Sequence, residues 1–286
     1  KAGASTTLTL ATSGTYDGAT TVSAGTLSVT HGSALGSADG GTTVADGATL
    51  AISNDITLAE PITINGTGAS SNGAIRSTSG ANTVSGLVTL ASASEVQADA
   101  DSLTFNVASG NSFTGTYGLT FDAASGVTVT VADPIATSTA GVTKSGAGSL
   151  TLSAVNTYTG TTTISAGTFT VSGSGSLNSG SYAGQIVNSA AFVYASSASQ
   201  TLSGAISGTG TITKNTSDSS TLTLSASNSY SGNTTVSNGV LAISHGSALG
   251  TTAGTTSVAT DATLSLSGGI TVAEPFYLAG DGVKVS

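Results

Sequence analysis

Apolar and hydroxyl residues take turns along most of this chain. LTL from Leu8, TTVSAGTLSV from Thr20, GTTVADGATLAIS from Gly41 and ITLAEPITI from Ile56 each set Val, Leu or Ile against Thr or Ser, with Gly, Asn, Asp and Ser clustered between them. A period of two is the mark of a strand with one buried face, and no window carries the 3.6-residue period of a helix. The pattern therefore predicts an all-β chain of many short strands. In the first stretch the inward set is Leu8, Leu10, Val22, Leu27, Val29, Val44, Leu50, Ile52, Ile56, Leu58, Ile62 and Ile64.

The pattern also repeats. TLTLATSGTYDGATTVSAGTLSVTHGSALG from Thr7 lies without gaps on TLTLSASNSYSGNTTVSNGVLAISHGSALG from Thr221, and a third copy begins at Leu150. This register places Tyr16, Tyr158 and Tyr230 together, and likewise Gly18, Gly160 and Gly232. Leu150 and Leu222 are 72 residues apart and Leu8 and Leu150 are 142 apart, which leaves room for a worn copy around SLTFNVASGNSFTGTYGLTF from Ser102. The cations keep the same count: Lys1, Arg76, Lys144, Lys214 and Lys284 stand 75, 68, 70 and 70 residues apart. The expected organisation is a single solenoid segment over 1–286, in units of about 1–75, 76–143 (degenerate), 144–213 and 214–286 (truncated).

A unit of this size with six or seven strands fits a pair of propeller blades, a sandwich or several coils of a β-solenoid. Charge decides between them. Only 7% of the residues are charged, too few to coat a sandwich with long polar side chains, whereas a solenoid can cover itself with stacked Thr and Ser. The expectation is a parallel β-helix (β-solenoid) of about 12 coils, roughly 20 to 25 residues each and about three to a unit, rising ~4.8 Å per coil. Glycines turn its corners, and its two ends carry open strand edges.

The net charge of −9 over 286 residues, with five scattered cations, argues against nucleic acid and anionic lipid as partners. The absence of Cys removes disulfides, thiolate metal sites and cysteine nucleophiles. No run approaches the ~18 apolar residues of a membrane span, so no membrane insertion is expected of this segment. With no Met at all, the chain reads as a processed product or a piece of a longer one.

At VTKSGAGSLTLSAVNTYTGTTTISAGTF and again at STLTLSASNSYSGNTTVSNGVL, the sequence resembles the autotransporter-associated β-strand repeat of bacterial type V secretion passenger domains. The likeness rests on Lys144 and Lys214 before Gly- or Ser-rich turns, the LTL strand, the Asn-x-Tyr-x-Gly corner (Asn156, Tyr158, Gly160; Asn228, Tyr230, Gly232) and the Thr-Thr strand after it. The first copy carries Gly14 in place of the Asn. The resemblance implies a right-handed parallel β-helix shown on the outer face of a Gram-negative envelope. No signal peptide and no C-terminal series of amphipathic strands is visible, so either these lie outside this sequence or the protein reaches the surface by another route.

Candidate chemistry is sparse, and neither a catalytic nor a cofactor-binding residue is assigned. His31 and His245 occupy the same place in HGSALG and read as turn residues. Asp99 and Asp101, beside Glu95, form the densest acidic group. On a strand they would face the same side, as a calcium site or the acid pair of a polysaccharide-cleaving β-helix requires. A solvated loop is the plainer reading, and with no cation nearby and no GGxGxD nonapeptide they stand as a weak calcium candidate. Glu60, Asp133 and Glu274 each precede one of the three prolines and read as corners. Ser174, in VSGSGSL, meets the Gly-x-Ser-x-Gly pattern by composition alone.

These readings converge on an extracellular, cell-surface stalk or adhesive passenger segment, not an enzyme. It would associate with itself, with neighbouring repeats of a longer chain, or with surface glycans and host or abiotic surfaces through many weak polar contacts. A filament subunit stacking end to end is the first alternative, and a polysaccharide-acting β-helix enzyme the second.

Overall fold

In a computed structural model, residues 1–3, 6–216 and 220–279 are described. Lys284, the last of the evenly spaced cations, lies outside them. The chain forms two compact units, residues 1–150 and 151–286. Each is a parallel β-solenoid in which strands inside a ladder hydrogen-bond to the strand one coil before and the strand one coil after, in register except for local shifts at Leu90/Ser94, Ile52/Ser53 and Lys214/Asn215.

The first unit has three ladders. One runs through Thr7–Leu10, Gly25–Val29, Ala48–Ser53, Ile75–Ser79, the second half of Val88–Ala98, Leu119–Ala123 and Val142–Ser145, seven strands in all. A second joins Thr20–Val22, Thr42–Val44, Ile62–Gly66, the first half of Val88–Ala98, Phe113–Gly115 and Ile135–Ala136. The third joins Thr57–Leu58, Ala81–Val84, Ser102–Phe105 and Thr128–Val131. Because partners are in register, side chains stack in columns, and Leu27, Leu50, Ile75, Val96 and Phe121 form one buried column. Halfway along, Phe105, Phe113 and Phe121 come from the three different ladders and meet in the core. Phe113 has its ring centroid 4.6 Å from Phe105 and 5.4 Å from Phe121.

The inward set expected from the alternation is buried except at its start. Leu8 is 46% exposed and Leu10 half-buried, because Thr7–Leu10 is the outermost strand of its ladder and is stacked on one side only. The core is also less aliphatic than expected: Lys144 continues the Phe121 column inward, and Lys214 follows Tyr194 in a column of the second unit.

In the second unit the longest ladder runs through Thr168–Gly173, Ala191–Ser196, Thr211–Asn215, the first half of Thr234–Ile243, Thr256–Val258 and Phe276–Leu278. Another joins Ser181–Tyr182, Gln200–Leu202, Thr221–Leu224, the second half of Thr234–Ile243 and Ala262–Leu266. A short one holds Thr162–Ile164, Ile186–Asn188 and Ile206–Ser207. From Phe169 to Phe276 the long ladder makes five steps in 107 residues, 21.4 per coil. A 72-residue repeat then spans about 3.4 coils, somewhat more than three. Thr162 and Thr234, equivalent in the repeat, accordingly lie in different ladders, paired with Ile186 and with Ile212. The repeat rotates around the core as it advances, so columns of like residues arise from the coil period.

Candidate functional site

The repeat signature builds corners. In all three good copies the tyrosine hydroxyl meets the threonine four residues on: Tyr16 with Thr20 at 2.8 Å, Tyr158 with Thr162 at 3.0 Å and Tyr230 with Thr234 at 2.7 Å. Tyr158 and Tyr230 are fully buried, whereas Tyr16, in the outermost coil, is 40% exposed. Burial pushes the Tyr158 and Tyr230 phenols up from their ordinary range, and that of Tyr182, which also bonds Thr162, to about 12. All three are neutral packing groups with a hydroxyl to satisfy.

The asparagines stitch coils together. Asn228 accepts the Ile206 N–H at 2.8 Å and donates Nδ2 to the Ala248 carbonyl at 2.6 Å, while Asn156 donates Nδ2 to Ala154 and Ser176 carbonyls at 2.8 and 3.1 Å. Gly14 keeps only the main-chain part of this pattern, its N–H reaching the Ser33 carbonyl at 2.8 Å as Asn228 N–H reaches Ser247 at 3.0 Å. Gly160 supplies a carbonyl to the Tyr182 hydroxyl. Gly232 crosses so close over the previous coil that a Cβ there would lie 2.1 Å from the Gly210 carbonyl oxygen, which excludes any other residue.

The lysines close turns. Lys144 Nζ donates to the Ser145 carbonyl and, at 2.8 Å, to that of Gly146; Lys214 Nζ bonds Ser220 Oγ at 3.1 Å and lies 5.9 Å from the Tyr194 ring centre. Burial brings the Lys144 ammonium down to about 8, against the upward pull of Asp122. His31 and His245 also repeat one turn. Nδ1 of each accepts a main-chain N–H two residues on, from Ser33 at 3.1 Å and Ser247 at 3.0 Å.

Asp99, Asp101, Glu60 and Glu274 each accept a hydrogen bond within the fold. Val88–Ala98 ends before Asp99, and Asp101 has a left-handed backbone (φ 54°), so the two carboxylates do not project side by side from a strand as the sequence suggested. A cation is present after all: Arg76 Nε lies 2.6 Å from Asp99 Oδ2, and Gln97 Nε2 is 2.6 Å from Oδ1. Asp101 accepts the Gly80 N–H at 2.7 Å. Among the described residues no three His, Asp or Glu side chains gather as a metal site. Glu60 and Glu274 go inward, where Thr42 and Thr256 hydroxyls donate to them at 2.9 Å, and burial raises both carboxyls despite those bonds. Glu274 Oε2 has no hydrogen-bond partner. Ser174 lies in an exposed turn after Thr168–Gly173.

Hydroxyls line two columns on the outside of the first unit. Thr21, Thr43, Thr63, Thr89 and Thr114 are successive register partners pointing away from the core, and Thr57, Thr83, Thr104 and Thr130 form a second such column in the first unit. The coil spacing sets these hydroxyls ~4.8 Å apart. The stacked Thr and Ser exterior expected from the sequence is present; which threonines share a column follows from coil length and register.

Buried apolar columns, stacked corners and hydroxyl faces define a parallel β-solenoid. The family model described as Passenger-associated-transport-repeat matches residues 1–29, 142–171 and 217–243, so the chain carries the passenger repeat its sequence resembles. No curated protein and no solved structure matches the chain. Repeat and fold together support an autotransporter passenger segment with a structural role, and the repeat implies exposure outside the cell. Among the described residues no helix is long and apolar enough to cross a membrane.

Proposed function

We propose that this segment is a surface-displayed stalk that also adheres, holding a multivalent polar face away from the envelope. The observation that supports it is the five-threonine column at Thr21, Thr43, Thr63, Thr89 and Thr114, one hydroxyl per coil with no charge among them. Each contact is weak, and affinity comes from several engaging at once. Matching columns on two copies also favour self-association. Cells displaying the chain should aggregate and bind abiotic or host surfaces. Replacing Thr21, Thr43 and Thr63 by Glu should abolish both while leaving the strand circular dichroism intact. Retention unchanged in that variant would contradict the reading.

A second reading, an end-to-end filament, is favoured by one comparison. Ile52, Ile62 and Ile64 are buried in the first copy, whereas their counterparts Leu266, Phe276 and Leu278 are exposed, Leu278 by 69%. An apolar strand face of this kind accepts a further strand, either the next coil of a longer chain or another copy, and the second of these is the filament. Electron microscopy of purified chain separates the readings: uniform fibres favour the filament, discrete rods the stalk.

A further inference from the structure

One corner of the first unit breaks its own rule. The chain passes from the third ladder to the second in four residues at Leu58 to Ile62, Val84 to Val88 and Val131 to Ile135, but takes eight from Phe105 to Phe113. The four extra residues, 108–111, stand out from the corner, with Gly110 at φ 96° and open space where a Cβ would be. The base of this loop is fixed. Asp133, one coil on, accepts the Val107 N–H at 2.7 Å, and the buried Ser112 donates its N–H to the Pro134 carbonyl at 3.1 Å. A protruding loop on a pinned base is where solenoids and other rigid scaffolds carry recognition.

Beside the loop lies a groove of about 450 Å³, within the range of small-molecule sites. Leu87 lies on one side and is 39% exposed; the equivalent corner positions in neighbouring coils hold Pro61 and Ser112, the carbonyls of Pro61, Leu87 and Ser112 accepting the N–H groups of Thr42, Ile62 and Val88 in turn. Around it are Ser85, Ser109, Asn111 and Thr114, which bring hydroxyls and an amide. No ionisable side chain lines the groove.

We infer that this groove is a subsite for a neutral saccharide. A pyranose offers an apolar C–H face, matched by Leu87, and a rim of hydroxyls that both donate and accept, matched by Ser109, Asn111 and Thr114. An acidic sugar or a phosphate would meet no cation there and would approach a chain of charge −9. The inference rests on the adhesive reading above and gives it a specific ligand class.

The test uses the full chain with maltose, cellobiose, lactose and mannobiose as probes, and N-acetylneuraminic and glucuronic acids as charged counterparts, read by saturation-transfer NMR and titration. At least one neutral disaccharide should bind, at least tenfold tighter than either acid. Deleting residues 108–111 restores the four-residue step used by the other corners and should weaken binding at least tenfold. Leu87→Ser should do the same and covers the case in which the deletion fails to fold. Absence of binding by any neutral probe, a preference for the acids, or a Leu87→Ser chain that binds as tightly as the parent overturns the subsite. Cells retained on a surface by a chain that binds none of these sugars also overturn it and leave the adhesive reading standing. Sugar bound through the groove with no retention of cells supports the subsite and contradicts that reading.

Discussion

Asn228→Ala removes a single side chain that ties three coils. Its Oδ1 takes the Ile206 N–H at 2.8 Å from the coil before, and its Nδ2 reaches the Ala248 carbonyl at 2.6 Å in the coil after. Ile206 and Ala248 are buried, at 1% and 0% exposure, so truncation strands one donor and one acceptor. Each stranded group costs about 1–3 kcal/mol, and allowing for some entry of water the loss comes to ~3 kcal/mol, or roughly a hundredfold in a local opening equilibrium. Solenoids open unit by unit, so a single unfolding midpoint dilutes the effect. Amide exchange reads it directly: the Ile206 N–H should exchange about a hundredfold faster, and amides in the first unit should not change. Gly14 shows that the main-chain corner survives without this side chain, so the variant should still fold. Unchanged exchange at Ile206 would refute the claim that asparagine holds the coils together at these corners.

Three further outcomes follow from buried groups. The Glu60 carboxyl is raised above 4.5 by burial, so its contribution to stability is present below pH 4.5 and lost as pH rises through its folded value; Glu60→Gln should therefore gain thermal stability over the parent at pH 7 and lose that advantage at pH 4. The Lys144 amine is lowered from 10.5 to about 8, so its favourable contribution is present above pH 10.5 and lost as pH falls through about 8. The difference in melting temperature between Lys144→Met and the parent should accordingly shift in favour of Met between pH 10.5 and pH 7, and a pH-independent difference would contradict the burial of this lysine. Phe113→Ala empties the centre of the Phe105–Phe113–Phe121 cluster and should cost about 3–5 kcal/mol, measured by urea denaturation; a loss under 1 kcal/mol would mean the rings do not form a core.

Period-two alternation made the strands and the inward residues legible, because a side chain's face in a strand depends only on parity, and the low charge of the repeat made the solenoid legible. The corners were legible as repeat marks but not as chemistry. The Tyr158 to Thr162 and Asn228 to Ile206 bonds join residues whose meeting depends on how the chain turns. The inward course of Lys144 and Lys214 was hidden because lysine normally faces water, and here turn carbonyls and Ser220 hold the ammonium inside. Asp99 was misread through its distance in sequence from Arg76, 23 residues or about one coil, the spacing at which contacts in this fold occur. That same spacing, applied to Phe105, Phe113 and Phe121, would not have found the aromatic cluster, whose members share one coil. The step from Phe105 to Phe113 was readable as an insertion only once the other corners had been measured.

With no native cysteine, paired cysteines test the coil register cleanly. Thr63 and Thr89 are 26 residues apart in sequence and direct register partners in space, on strands ~4.8 Å apart, within disulfide reach. Thr63→Cys with Thr89→Cys should cross-link quickly under mild oxidation, while Thr63→Cys with Val88→Cys, whose second thiol faces the core, should not. Equal cross-linking of the two pairs, or none in the first, would contradict the parallel, in-register solenoid.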